Sequence, residues 1–152
     1  MKKLSLLLAG IVLTSLLVIA LKETSKTPIF NERTADSSDA QLFYNEGLKE
    51  EGQENWSAAL TYFQKATVKN PDNADAWSEV GYCYSSLGRH QDAIEAYKQA
   101  IRIKPDLAGA HYNLGLVYLL IIGDKGSALE EYKILKTLDA ELANKLFNLI
   151  YK

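Results

Sequence analysis

The chain has one cysteine, Cys83, and three prolines in 152 residues. One thiol makes no internal disulfide, and no Cys/His cluster has zinc-ligand spacing. Positive charge is not in surplus: 17 basic residues against 19 acidic ones give a formal net charge of −2. Without a basic stripe to neutralise phosphates, nucleic acid is not an expected partner. No glycine-rich phosphate loop is present, and beyond the N-terminal segment no stretch alternates apolar and polar residues as a strand does. The two histidines, His90 and His111, have no base or nucleophile at usable spacing. Cys83, between Tyr82 and Tyr84, reads as a small buried hydrophobe. Glu50-Glu51 and Glu130-Glu131 read as solvated helix faces. No catalytic residue, cofactor or metal ligand is therefore expected.

What is present begins with an apolar leader. Met1-Lys2-Lys3 is followed by an uncharged stretch of 18 residues, Leu4 to Leu21. A run of roughly 18 or more apolar residues is long enough to span a bilayer as a helix. A basic start, an apolar run and small residues such as Val18 and Ala20 also fit a cleaved signal peptide. Residues 1–21 are expected to be a signal anchor or a signal peptide. On either reading the lysines stay cytoplasmic and the rest faces outward. The expected location is the outer, periplasmic side of a bacterial membrane, or secretion if the leader is removed. Residues 22–38 are polar, with Ile29 and Phe30 as the bulky exceptions, and suit a flexible linker. From Lys22 onward fifteen basic and nineteen acidic residues remain, a net of −4.

From residue 39 onward the chain reads as helices separated by turn signals. Ser38 with Gln41 fits a capping box for a first helix over 40–51. Asn55 and Asn73 are expected to cap helices over 56–69 and 74–87, with Gly88 as a left-handed terminator. Further helices are expected over 91–104, 107–122, 125–138 and 141–151, the last two either separate or continuous. Ala59, Phe63, Ala66 and Pro71 recur 34 residues later as Ala93, Tyr97, Ala100 and Pro105. A period of that size marks a stacked helical array. Gly47, Gly81 and Gly115 let the paired helix come close, and Phe63, Tyr97 and Tyr132 fill the space between pairs.

These residues give the domain its family likeness. Trp77, Gly81, Tyr84, Gly88, Ala93, Tyr97, Ala100 and Pro105 fall where the tetratricopeptide repeat family has its signature, and the domain resembles that family. The first unit keeps Phe43, Gly47, Ala59, Phe63, Ala66 and Pro71. The third keeps Leu114, Gly115 and Tyr118, then needs one extra residue before Gly123, Ala128 and Tyr132 align. His111 stands there for Trp, Leu135 for Ala and Ala140 for Pro. The likeness implies an all-α fold: a short right-handed solenoid of three helical hairpins, 40–73, 74–107 and 108–140, with a capping helix at 141–151.

In such a stack the first helix of each pair lines a concave groove. Helical phase, together with the resemblance, places Tyr44, Leu48 and Glu51, then Ser78, Tyr82 and Ser85, then Tyr112, Leu116 and Leu119 on that side. The family's chaperone adaptors hold a terminal carboxylate with a basic clamp. The matching positions here are Tyr44, Leu48, Ser78, Tyr82, Gly109 and Asn113, which carry no positive charge. Partner contacts are therefore expected from Tyr44, Leu48, Ser78, Tyr82, Tyr112, Asn113, Leu116 and Leu119, through aromatic and apolar area. The six apolar residues Val117 to Ile122 are expected to lie under the last helix, through Leu120 and Ile121. A sharper alternative makes them an exposed patch for a partner or a second copy. The expected role is a non-enzymatic scaffold, held at a membrane by its leader, that binds a protein or peptide segment. The alternative is a homo-oligomer assembled through residues 117–122.

Overall fold

The computed structural model describes residues 32–152, with side chains from residue 37. The apolar segment 4–21 and most of the linker lie outside the described residues. Among the described residues no helix is long and apolar enough to cross a membrane.

The described residues form seven α-helices: α1 (Glu32–Glu51), α2 (Trp56–Lys69), α3 (Ala74–Ser86), α4 (His90–Ile103), α5 (Ala108–Leu116), α6 (Lys125–Leu138) and α7 (Ala140–Ile150). No strand occurs among them. Consecutive helices from α2 onward pack on one another, and α3 also touches α5. That contact between first helices of neighbouring hairpins is what makes a stack with one wall of first helices.

Three core clusters run along the stack. The first joins Ala59, Leu60 and Phe63 to Val80, Cys83 and Ala96. The second joins Ala93, Ile94, Tyr97 and Ala100 to Ala110, Leu114 and Val117. The third joins Ala128 and Leu135 to Ala143, Leu146 and Ile150 of α7. Each hairpin leaves an apolar face that its neighbour covers, so the core is continuous only because the units are stacked. Glycine sets the spacing. A Cβ on Gly47 would lie 2.6 Å from the Phe63 ring, and one on Gly81 would lie 2.7 Å from the Tyr97 ring.

Several local expectations are corrected. α1 begins at Glu32, eight residues before Ala40, because no proline or glycine follows Pro28 until Gly47. Ser38 and Gln41 therefore sit inside the helix, where the Gln41 amide donates to Asn45 Oδ1 at 2.9 Å. Asn55 does not cap α2 with its side chain; its amide donates to Glu50 Oε2 at 2.9 Å. Asn73 does cap, accepting from the Ala76 amide at 3.0 Å, and Gly88 takes φ 73°. α6 and α7 are separate. Asp139 breaks them, its Oδ1 accepting from the Glu141 and Leu142 amides at 2.9 and 3.0 Å.

The largest departure lies in the third hairpin. α5 ends at Leu116 and gives way to a π-helical segment, Val117–Ile122, closed by Gly123 with φ 76°. This wider turn absorbs the extra residue that the repeat alignment requires. The inward positions of α6 are kept, Ala128 and Leu135 being fully buried like Ala93 and Ala100 one repeat earlier. Gly115 faces Leu146 of α7 and the Glu131 Cβ, whereas Tyr132, expected between hairpins, is half-buried beside Phe147 with ring centroids 5.4 Å apart. Leu120 and Ile121 do not lie under α7, as expected. They are 61% and 48% exposed, and Ile122 is 53% exposed. The last helix packs instead against Ala108, Tyr112 and Leu116 of α5, Leu119 of the π segment and Leu129 of α6.

Candidate partner-binding groove

The wall formed by α1, α3 and α5 carries one apolar hollow. Tyr82 and Ser85 of α3, Tyr97 of α4, Asn113 and Leu116 of α5, and Val117, Leu120 and Ile121 of the π segment line it, around about 200 Å³. Tyr97 and Val117 are buried and form its floor. Tyr82 stands half-exposed at its edge, held by an edge-on contact with Trp56 at 5.5 Å. Val117, Leu120 and Ile121, three and four residues apart, share one face of this segment, Val117 buried and the other two exposed.

Of the residues expected from sequence, Tyr82, Asn113 and Leu116 meet at this hollow. Tyr44 and Leu48 lie on α1, away from it. The Tyr44 ring packs on Phe63 at 5.5 Å, and Leu48 is exposed. Ser78 is half-buried on α3, two turns before Ser85. Tyr112 and Leu119 pack against the C-terminal cluster, where Tyr112 borders Lys145, Asn148 and Leu149 of α7. The cap therefore reaches the far end of the wall and leaves the centre open. Val117, Leu120 and Ile121 complete the site, three and four residues on from Asn113, Leu116 and Val117 along one helical face. The signal in the sequence was that spacing of three and four residues.

The other end of the wall is acidic. Burial, then the neighbouring Glu51 and Asp75 carboxylates, push the Glu79 carboxyl up to about 7. Burial also pushes Glu51 up, and its Oε2 is buried without a hydrogen-bond partner. Tyr44 is pushed up to about 12 by burial and then by Glu79, Asp75 and Glu51. Cys83, fully buried, is pushed up to about 12 by burial and then by Glu51 and Glu79, so it is an inert thiol and no nucleophile. Among the described residues no group of three or more His, Cys, Asp or Glu could hold a metal ion.

His111 has a structural place. Its Nε2 lies 2.9 Å from the Pro105 carbonyl, repeating the bond by which Trp77 Nε1 donates to the Pro71 carbonyl at 2.9 Å. Its Nδ1 lies 2.7 Å from Glu131 Oε2. Histidine thus keeps the hairpin-to-hairpin tie of the tryptophan it replaces and adds an ion pair.

Interlocked hairpins, a wall of first helices and a repeated aromatic-to-carbonyl tie define a helical-repeat protein. Family models described as TPR repeat and as Tetratricopeptide repeat match residues 81–121 and 62–95, so residues 62–121 carry repeats of the tetratricopeptide type. Among curated relatives, it is 36% identical over 76 residues to the protein CTR9 homolog of Arabidopsis thaliana, covering 50% of this chain and 7% of that one. It is 32% identical over 83 residues to the protein O-mannosyl-transferase TMTC3 of Homo sapiens, covering 55% of this chain and 9% of that one. The chain thus spans less than a tenth of the length of either relative. Among solved structures, the TPR2B domain of yeast Sti1 in complex with pHsp70 superposes with a TM-score of 0.71 at 22% identity, covering 76% of this chain and 95% of that one.

Proposed function

We propose that the protein is a non-enzymatic docking scaffold that binds a protein segment along its α1–α3–α5 wall. The observation that carries this reading is the apolar hollow at Tyr82, Leu116, Val117, Leu120 and Ile121, open beside two exposed aliphatic side chains. Apolar area that remains exposed on a folded repeat protein marks a surface for a partner. The Sti1 domain, alike in fold, was solved in complex with pHsp70, which supports partner binding by this architecture. A groove of three hairpins covers modest area, and affinity on the order of micromolar is expected. The reading includes a tether: residues 1–21 hold the scaffold at the outer face of a bacterial membrane, which the Lys-Lys start and the uncharged run of 18 residues support.

The test is a crosslinking pull-down from membranes with the full chain, run beside Tyr82→Ala and Leu120→Ser variants. A partner held by the native chain and lost from both variants supports groove docking. Identical captures from all three chains overturn it. Mass measurement of the mature N-terminus separates an anchor from a cleaved leader.

A second reading is self-association through the π segment, favoured by the 61% exposure of Leu120. Light scattering against concentration distinguishes it: a dimer abolished by Leu120→Glu would place a second copy on that surface.

A further inference from the structure

The hollow and the acidic end of the wall belong to one surface. Glu79 lies one turn before Tyr82 on α3, and Tyr82 lines the hollow. The floor residue Tyr97 feels burial first and then the fields of Glu79, Tyr82, Cys83 and Glu51. The ion pairs of the described residues join Lys49 to Glu46, Lys69 to Asp39, Arg89 to Asp92, His111 to Glu131, Lys133 to Glu130 and Lys145 to Glu141. None of these pairs reaches Glu51 or Glu79. The inward positions of the wall, from Tyr44 through Leu119, include no lysine or arginine. Two half-buried carboxylates therefore face the groove without a cation, and one oxygen of Glu51 has no donor at all.

Burying a carboxylate without a partner is costly, and the unliganded protein relieves the cost by keeping a proton. An incoming ammonium or guanidinium relieves it better, because it restores the charge-assisted hydrogen bonds that burial removed. Resting on the docking role proposed above, we propose that the groove selects a protein segment that pairs an apolar side chain with a lysine or arginine. The apolar side chain enters the hollow between Leu116 and Leu120, and the cation sits between Glu51 and Glu79. The complement is thus opposite in charge to a terminal carboxylate, which this wall repels.

The test uses the full chain in detergent and fluorescence anisotropy with labelled nonapeptides. Each peptide has a central leucine and, a few positions away, lysine, glutamine or glutamate; a matching set has serine at the centre. The leucine–lysine peptide should bind at least tenfold more tightly than the leucine–glutamate peptide. The double variant Glu51→Gln/Glu79→Gln should erase that ratio while retaining the glutamine peptide, and Leu120→Ser should weaken every leucine peptide. Equal binding of the lysine and glutamate peptides, lost in Leu120→Ser, would overturn charge selection and leave groove docking intact. Absence of binding by every leucine peptide at millimolar concentration would overturn both.

Discussion

His111 Nδ1 and Glu131 Oε2 lie 2.7 Å apart across α5 and α6, with the other ring nitrogen on the Pro105 carbonyl. Both ring nitrogens thus face acceptors, and only the doubly protonated ring satisfies both. The Glu131 hydrogen bond raises the His111 pKa; burial opposes it, and the Pro105 carbonyl and the Glu131 charge add to it. A group whose folded pKa is raised contributes stability that is complete below its unfolded value and is lost as pH rises through the folded one. Unfolding free energy should therefore decline as pH rises from about 6.5. Glu131→Gln should flatten that decline in urea titrations across the pH range. At pH 6, Glu131→Ala should cost about 3 kcal/mol, because the side chain is largely buried and its partner is left unpaired.

Glu79 acts in a lower window with the same sign. Its folded pKa of about 7 stands above the ordinary glutamate value of 4.5. Stability from its retained proton is complete below the unfolded value and lost as pH climbs through the folded one. The charges and titrating groups facing it are Tyr44 and Glu51 from α1, Asp75 and Cys83 from α3, and Tyr97 from α4. Glu79→Gln should remove this part of the pH dependence and leave the His111 part intact. Thermal melts between pH 4 and 8, on the two single variants, read the two windows separately.

Gly81 and Gly109 give opposite outcomes for the same substitution. A Cβ at Gly81 meets the Tyr97 ring at 2.7 Å, inside a closed core. Gly81→Ala should cost about 1–3 kcal/mol through overpacking. A Cβ at Gly109 meets nothing within 4 Å, in the first turn of α5. Gly109→Ala should be neutral or stabilising by about 0.5–1 kcal/mol, since alanine restricts the unfolded chain and favours helix. Paired denaturant curves check both; a destabilised Gly109→Ala would show that the first turn of α5 is packed against something on that face.

The hairpins were legible because they rest on small residues at fixed spacing, each paired with a ring: Gly47 with Phe63 and Gly81 with Tyr97. Helix ends were less legible. Asn55 and Asn73 are the same residue type in similar settings, yet only Asn73 caps, because Glu50 captures the Asn55 amide. The groove was half legible. Tyr82, Asn113 and Leu116 follow from helical phase, and Leu120 and Ile121 share the phase of Asn113 and Leu116, but their apolar run read as the surface beneath the last helix. The acidic end was hidden for another reason. Glu51 read as half of a solvated pair, whereas it is half-buried and its Oε2 has no hydrogen-bond partner.

The π segment offers the most direct test of how the hollow is made. Deleting one residue from Val117–Ile122 restores the 34-residue spacing, so α5 can run on as α-helix to Gly123. The cores around Tyr97 and Leu146 lie on either side and keep their own contacts, so the variant should fold, with a melting temperature within about 5 °C of the native chain. Its third hairpin should keep Ala128 and Leu135 in the core, and taking Leu120 as the deleted residue removes its side chain from beside Tyr82. Segment binding at the hollow should fall at least tenfold while circular dichroism keeps its helical signal. If the deletion variant binds as the native chain does, the wider turn merely accommodates length and Leu120 and Ile121 take no part in recognition.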